Sequence, residues 1–432
     1  MSKNKESQAK NTSAKRQRSY WQQQELRQRI IGFIGVAVVA VVAIVIASGW
    51  FFKQYLPIDR HMRTTVVEVC GQKYNMAYFI NMLTYVTEDT YMQYAEYYID
   101  DAEQLLERSA IINAAAAKLG FSVSDGDVKQ YLKEINEIYG YYYGITLPDN
   151  AAIRDVLRAQ LLTQRLKDDY FGPDTPITAE YREVMAMFLD SESKADEIRA
   201  RLVLGEDFGA LAAEYSLENK TKEAKGALGS HPKGVFDYLL SSKGIDEVFF
   251  SQTLNSWSTY YDDAFSKAGG YWLVKITERN DADGLVRVSA MLLSSEDEAK
   301  AVKARLDKGE SFTTLAELYS QCWDDENKDD LGWMDPYDTY AAYMDYIADE
   351  NSPVGKVSNP IKDASQSTTG GYWLFKVTDS KTEDVSAEDR GNLINKAYND
   401  WLDEQIADAQ TYPVVNHMDD AMRKFAASRA GK

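Results

Sequence analysis

Residues able to act as a nucleophile, a general base or a soft metal ligand are scarce in these 432 residues. There are three histidines, His61, His231 and His417, and two cysteines, Cys70 and Cys322. Their spacing contains no CxxC pair and no Cys/His cluster, so a structural zinc site is set aside, and neither a metal nor a cofactor is expected. The two cysteines fall in segments assigned to different domains, which argues against a structural disulfide. Cys70 lies in VVEVCGQKY, a run that alternates like a strand, and reads as a small buried residue. Cys322 remains a weak catalytic candidate, and what it could do depends on the elements around it.

Those elements occur twice. Val184, Ala186, Met187, Leu202, Gly205, Glu206, Phe208, Leu211, Ala212, Tyr215 and Ser216 recur 104 positions later, from Val288, Ala290 and Met291 to Tyr319 and Ser320. Leu228-Gly229 then matches Leu331-Gly332, and GGYWLVKIT from Gly269 matches GGYWLFKVT from Gly370. Each unit opens with a short apolar strand and continues into an amphipathic helix ending at Gly205 or Gly309. A second helix carrying Phe-x-x-Leu-Ala follows, and a β-like run closes the unit. This order predicts two α+β domains, over 180–280 and 285–381, each with its first and last strands adjacent in one sheet.

The repeats resemble parvulin-type (PpiC-like) peptidyl-prolyl isomerase domains, and the order of pieces around them is similar to that of the PrsA/SurA group of extracytoplasmic foldases. The resemblance covers about residues 64 to 415. It rests on Gly309-Glu310-Ser311-Phe312, Leu315-Ala316, Tyr319-Ser320, Asp330-Leu331-Gly332-Trp333 and Gly371-Tyr372-Trp373, with weaker counterparts in the first unit. It implies a four-stranded sheet wrapped by helices in each repeat, with a shallow proline pocket between sheet and loop.

Rotation about an X–Pro bond takes tens to hundreds of seconds unaided, across a barrier of ~18–20 kcal/mol. The family surrounds the twisting amide with two histidines and a Cys or Asp. By this resemblance the first histidine position reads Ala186 and Ala290, and the second reads Trp272 and Trp373. The Cys/Asp position reads Glu218 in the first unit and Cys322 in the second. His231 reads as a surface loop residue and Glu218 as a solvated one. The expected substrate-binding set lies in the second unit: Cys322, Leu331, Trp333, Met334, Ala290 and Trp373. Trp333 and Met334 either wall an open proline seat or fill the void beside Ala290 and close it.

Ahead of the repeats, Ile30 to Phe52 is an uncharged run long enough to cross a bilayer core of about 30 Å. Eleven Lys/Arg against three acids in residues 1–63 place the N-terminus in the cytoplasm, and the acidic remainder outside. A cleaved signal peptide is the competing reading, disfavoured by the long basic segment. An acidic body, with 37 basic against 64 acidic residues, excludes nucleic acid as a partner.

Residues 64–178 read as an all-helical chaperone lobe rich in tyrosine, with Ser124 and Asp127 as a capping pair and YGYYYG at Tyr139 to Gly144 outside any helical period. The segment 386–432, starting with a helix capped by Ser386, is expected to fold back and complete that lobe. The whole reads as a basic segment (1–29), a single-pass anchor (30–52), the helical lobe and two parvulin-like domains. The expected function is folding of exported polypeptides, unfolded or proline-containing, chiefly as a chaperone. The alternative is an active prolyl isomerase.

Overall fold

The computed structural model describes residues 56–87, 89–280, 282–337 and 341–431. The anchor segment Ile30 to Phe52 lies outside them, and among the described residues no helix is long and apolar enough to cross a membrane. Two compact units are present: residues through Thr163 together with Glu404 onward, and Gln164–Asp403.

The first unit is helical but not all-helical. After α1 (Leu56–Arg63), the strands β1 (Thr65–Val69) and β2 (Gln72–Asn75) form a hairpin. Cys70 and Gly71 both take positive φ at its turn, as a two-residue hairpin requires, so Cys70 is a half-exposed turn residue. The other edge of β1 is filled from the far end of the chain by β9 (Val414–Asn416). Helices α2 (Met76–Thr87), α3 (Ile99–Lys118), α4 (Asp125–Tyr143) and α5 (Ala151–Arg165) follow. Asn75 caps α2 through the Tyr78 amide, and Ser124 and Asp127 form a full capping box on α4. YGYYYG is the last turn of α4, stopped by Gly144 in the left-handed conformation. Within this unit α15 (Asp420–Arg429) is held by Arg423, which donates to both oxygens of buried Glu103 at 3.0 Å and to Asp100 at 2.6 Å.

The second unit carries β3 (Thr178–Leu189), α6 (Glu192–Val203), α7 (Phe208–Tyr215), α8 (Asn219–Glu223), β4 (Ala227–Pro232), α9 (Val235–Leu240), α10 (Ile245–Ser251) and β5 (Trp257–Asn280). The duplicated set is β6 (Leu285–Leu293), α11 (Glu296–Asp307), α12 (Phe312–Tyr319), β7 (Asp330–Met334), α13 (Met344–Ala348) and β8 (Ile361–Asp384). Helix α14 (Ala387–Ala407) follows. Its Arg390 donates to the carbonyls of Gly172 and Thr175, and Tyr398 and Trp401 pack on Phe171, all within this unit. The C-terminal strand and helix that enter the first unit are therefore β9 and α15.

All strands of the second unit join one antiparallel sheet in the order β4-β3-β8-β5-β6-β7. This departs from the expectation of two separate sheets. The opening strand β3 of the first repeat pairs with the closing strand β8 of the second, Ala186 opposite Phe375. The opening strand β6 of the second repeat pairs with the closing strand β5 of the first, Ala290 opposite Val274. The repeats have exchanged closing strands. Where a separate domain would turn back in a hairpin, β5 and β8 run straight on and pair with each other through Ser266–Ala268 and Ser367–Thr369. Each half of the sheet keeps its own cores, with α6 and α7 covering one face of the first half and α9 and α10 the other.

Candidate functional site

Strand alternation sends Ala186 and Phe188, or Ala290 and Leu292, to one face of the sheet and Met187 or Met291 to the opposite face. Because of the exchange, the tryptophan that meets Ala290 is Trp272 of the first repeat, while Trp373 packs in the first half with Ala186. Trp373 thus leaves the expected site, and Trp272 takes its place.

The first half has no room for a ligand at this face. Trp373 is 0% exposed, with ring centroids of Phe188 and Phe265 at 4.9 and 5.0 Å, and its indole donates to Asp262 at 3.3 Å. In the second half the places of Phe188 and Phe265 are taken by Leu292 and Gln366, so the three-ring plug is absent. Here Trp272, 8% exposed, donates to Asp363 at 3.0 Å and meets Tyr343 edge-on at 5.3 Å. Ala290, Leu292, Tyr343, Ile347 and Met334 complete the apolar cluster.

Asp363 is an organised acceptor. Burial works to raise its pKa, but donors from Ser365, the Trp272 indole and Gln366 outweigh it and hold the carboxyl below its ordinary value. Burial raises the Tyr343 phenol, with Cys322 and Asp363 adding to the shift. Cys322 lies at the Leu292 end of β6, because the Leu292 amide donates to Ser320 Oγ at 3.2 Å and the Gln321 amide donates to the Leu292 carbonyl at 2.8 Å. The thiol is exposed, 3.3 Å from Ser320 Oγ.

Trp333 and Leu331 do not belong to this cluster. Met334 pairs opposite Val286 and packs on the Ala290 face, so its neighbour Trp333, opposite Arg287, points to the other face and is 45% exposed. Leu331 is the unpaired residue of a bulge between β6 and β7 and is 40% exposed. Of the six expected residues, the structure brings together Cys322, Met334 and Ala290. The sequence reading assigned Trp272 to the first unit rather than to this cluster, and it did not single out Tyr343 or Asp363.

The remaining candidates have structural work. His231 sits on β4, not in a loop, with Nδ1 2.7 Å from Asp389 Oδ1 and Nε2 3.1 Å from the Leu228 carbonyl. Tyr181 and Ser386 donate to the second oxygen of Asp389, so this network anchors the start of α14 at the sheet edge opposite β7. Glu218 caps α8 by accepting from the amides of Lys220 and Thr221. Among the described residues no group of three or more His, Cys, Asp and Glu is placed to hold a metal ion.

Comparison with known proteins shows what the repeats are similar to. Residues 188–278 and 289–379 each match the rotamase family of PPIC-type PPIASE domains. The chaperone SurA of Nitrosospira multiformis is 24% identical over 364 residues, covering 69% of this chain and 79% of the relative. The foldase protein PrsA of Geobacillus kaustophilus is 37% identical over 115 residues, 25% of this chain, so the match spans only 38% of that relative's length. A crystal structure of foldase protein PrsA from Streptococcus pneumoniae aligns over 84% of this chain and 98% of its own, at 12% identity and a TM-score of 0.27. With two PPIC-type PPIASE domains in tandem, the chain is similar to SurA chaperones and PrsA foldases.

Proposed function

We propose that this protein is a membrane-anchored folding factor that holds unfolded, proline-containing exported polypeptides outside the cytoplasm and leaves their prolyl bonds to rotate at the uncatalysed rate. The observation that carries this reading is the state of the two indoles. Tryptophan has a single donor and no acceptor, and both donors are already committed, Trp272 to Asp363 and Trp373 to Asp262. Ala186 and Ala290, in the same clusters as the indoles, have no polar side-chain atom to offer a twisting amide. The second half of the sheet, with Trp272, Met334 and Tyr343 around Ala290, is the seat for a proline ring. The exposed end of α4, where Tyr141 is 82% exposed and stacks edge-on with Tyr142, supplies a second client surface in the helical unit.

One observation favours residual turnover: Cys322 is exposed, next to Gln321, whose amide donates to the carbonyl of Leu292 in the same cluster. The test pairs two measurements on residues 56–432. In a protease-coupled isomerisation assay the protein is expected to leave the prolyl peptide's rate unchanged, while at stoichiometric amounts it delays aggregation of an unfolded model protein. Turnover at the level of an intact parvulin, abolished by Cys322→Ala, would overturn the reading.

A further inference from the structure

The exchanged strands share one register. Ala186 faces Phe375 and Ala290 faces Val274, positions that correspond between the repeats, and Glu183–Asp379 corresponds in the same way to Arg287–Glu278. Along the paired stretch the two closing strands present nearly the same side chains: Tyr271 or Tyr372, Trp272 or Trp373, Leu273 or Leu374, Lys275 or Lys376, Ile276 or Val377. Even the indole acceptors correspond. Trp373 donates to Asp262 and Trp272 to Asp363, and either tryptophan could donate to the aspartate of its own repeat at the equivalent place. The segments that would have to turn back keep turn chemistry. Asp262 accepts from the Ala264 and Phe265 amides, Asp363 from the Ser365 amide, and Gly269 and Gly370 take positive φ.

Two positions break the equivalence. Phe375 packs against Phe249 with ring centroids 4.8 Å apart in the first half, where its counterpart Val274 would leave a gap. Arg279 caps the end of α13 by donating to the carbonyls of Ile347, Asp349 and Ser352, at 3.2, 2.8 and 3.3 Å. Its counterpart Ser380 is too short for that role. With the strands returned to their own repeats, Arg279 would instead face Arg182, which now lies opposite Ser380.

We propose that strand exchange is a two-state element of this protein: a closed arrangement, in which each repeat takes back its own closing strand, is also encoded, and Arg279 and Phe375 hold the chain on the exchanged side. The closed arrangement replaces one six-stranded sheet by two four-stranded ones and gives the Cys322 seat Trp373 in place of Trp272. The switch therefore changes how the seats are joined without removing either tryptophan.

Disulfide trapping in the full chain tests this, with Cys70→Ala and Cys322→Ala removing the native thiols. Glu183→Cys with Asp379→Cys reports the exchanged state, and Glu183→Cys with Glu278→Cys the closed one. All three positions are exposed. Read on the monomer after mild oxidation, the exchanged pair is expected to crosslink and the closed pair to crosslink poorly. Adding Arg279→Ser and Phe375→Val is expected to raise the closed crosslink about tenfold. A folded double variant that still gives only the exchanged crosslink after unfolding and refolding would overturn the proposal. If that variant does not fold, a Gly-Ser-Gly insertion after Ala268, which alters no packed side chain, must raise the closed crosslink instead, and its failure to do so would be equally decisive.

Discussion

Buried polar side chains in the sheet identify which residues matter most to it. Replacing Trp272 by Phe keeps most of the ring volume but leaves buried Asp363 without its indole donor, at an expected cost of about 2 kcal/mol in urea unfolding. Lys267 gives a sharper test. It is 3% exposed in the hinge pairing, with Nζ donating to the carbonyls of Thr369 and Gly370, and burial pushes its amine down to about 8 against the pull of Asp190 and Glu298. Between pH 8 and the ordinary value of 10.5 the unfolded chain binds a proton that the folded one has lost, so stability rises with pH across that window. Below pH 8 the full penalty, about 3 kcal/mol, is present. Wild type should therefore gain stability relative to Lys267→Met between pH 8 and pH 10, and a difference independent of pH would contradict the burial. The sequence disclosed the repeated Trp, but neither Asp262 and Asp363 as its acceptors nor that these bonds cross between repeats. Asp389 as the partner of His231 was equally hidden, because 158 positions separate them and no local pattern joins them.

Helices were more legible than strand partners. Caps at Ser124, Ser386 and Asn75 are local and could be read from spacing, and the structure forms all three. Strand pairing is nonlocal, and since the two closing strands are almost the same sequence, periodicity assigns either one to either opening strand equally well. The facing of Trp333 was legible in principle: Met334 and Gly332 share the core face by alternation, which sends Trp333 away. In the helical unit α15 is held in part by the ion pairs of Arg423 with Glu103 and Asp100. Burial raises the carboxyl of Glu103, and Arg423 and Asn416 pull it back. Arg423→Ala would leave that carboxylate without its cation, at an expected cost of about 2 kcal/mol. Hydrogen exchange should then show β9 and α15 losing protection before α3, whereas uniform loss across the unit would mean that α15 is not a separate docking element.

At the scale of the whole molecule, the proposed anchor and orientation follow from the basic start and the uncharged Ile30 to Phe52 run. Protease added to intact, wall-stripped cells should digest the body and leave a short membrane-bound N-terminal fragment, and protection of the full chain would place the body inside. The central claim, binding of prolyl segments without turnover, is tested most directly by exchange spectroscopy on a proline-containing peptide mixed with residues 56–432. The account expects the indole signal of Trp272 and the methyl signal of Met334 to move with added peptide while no exchange peaks connect the peptide's cis and trans forms. Exchange peaks that appear with the protein and disappear in Cys322→Ala would contradict it.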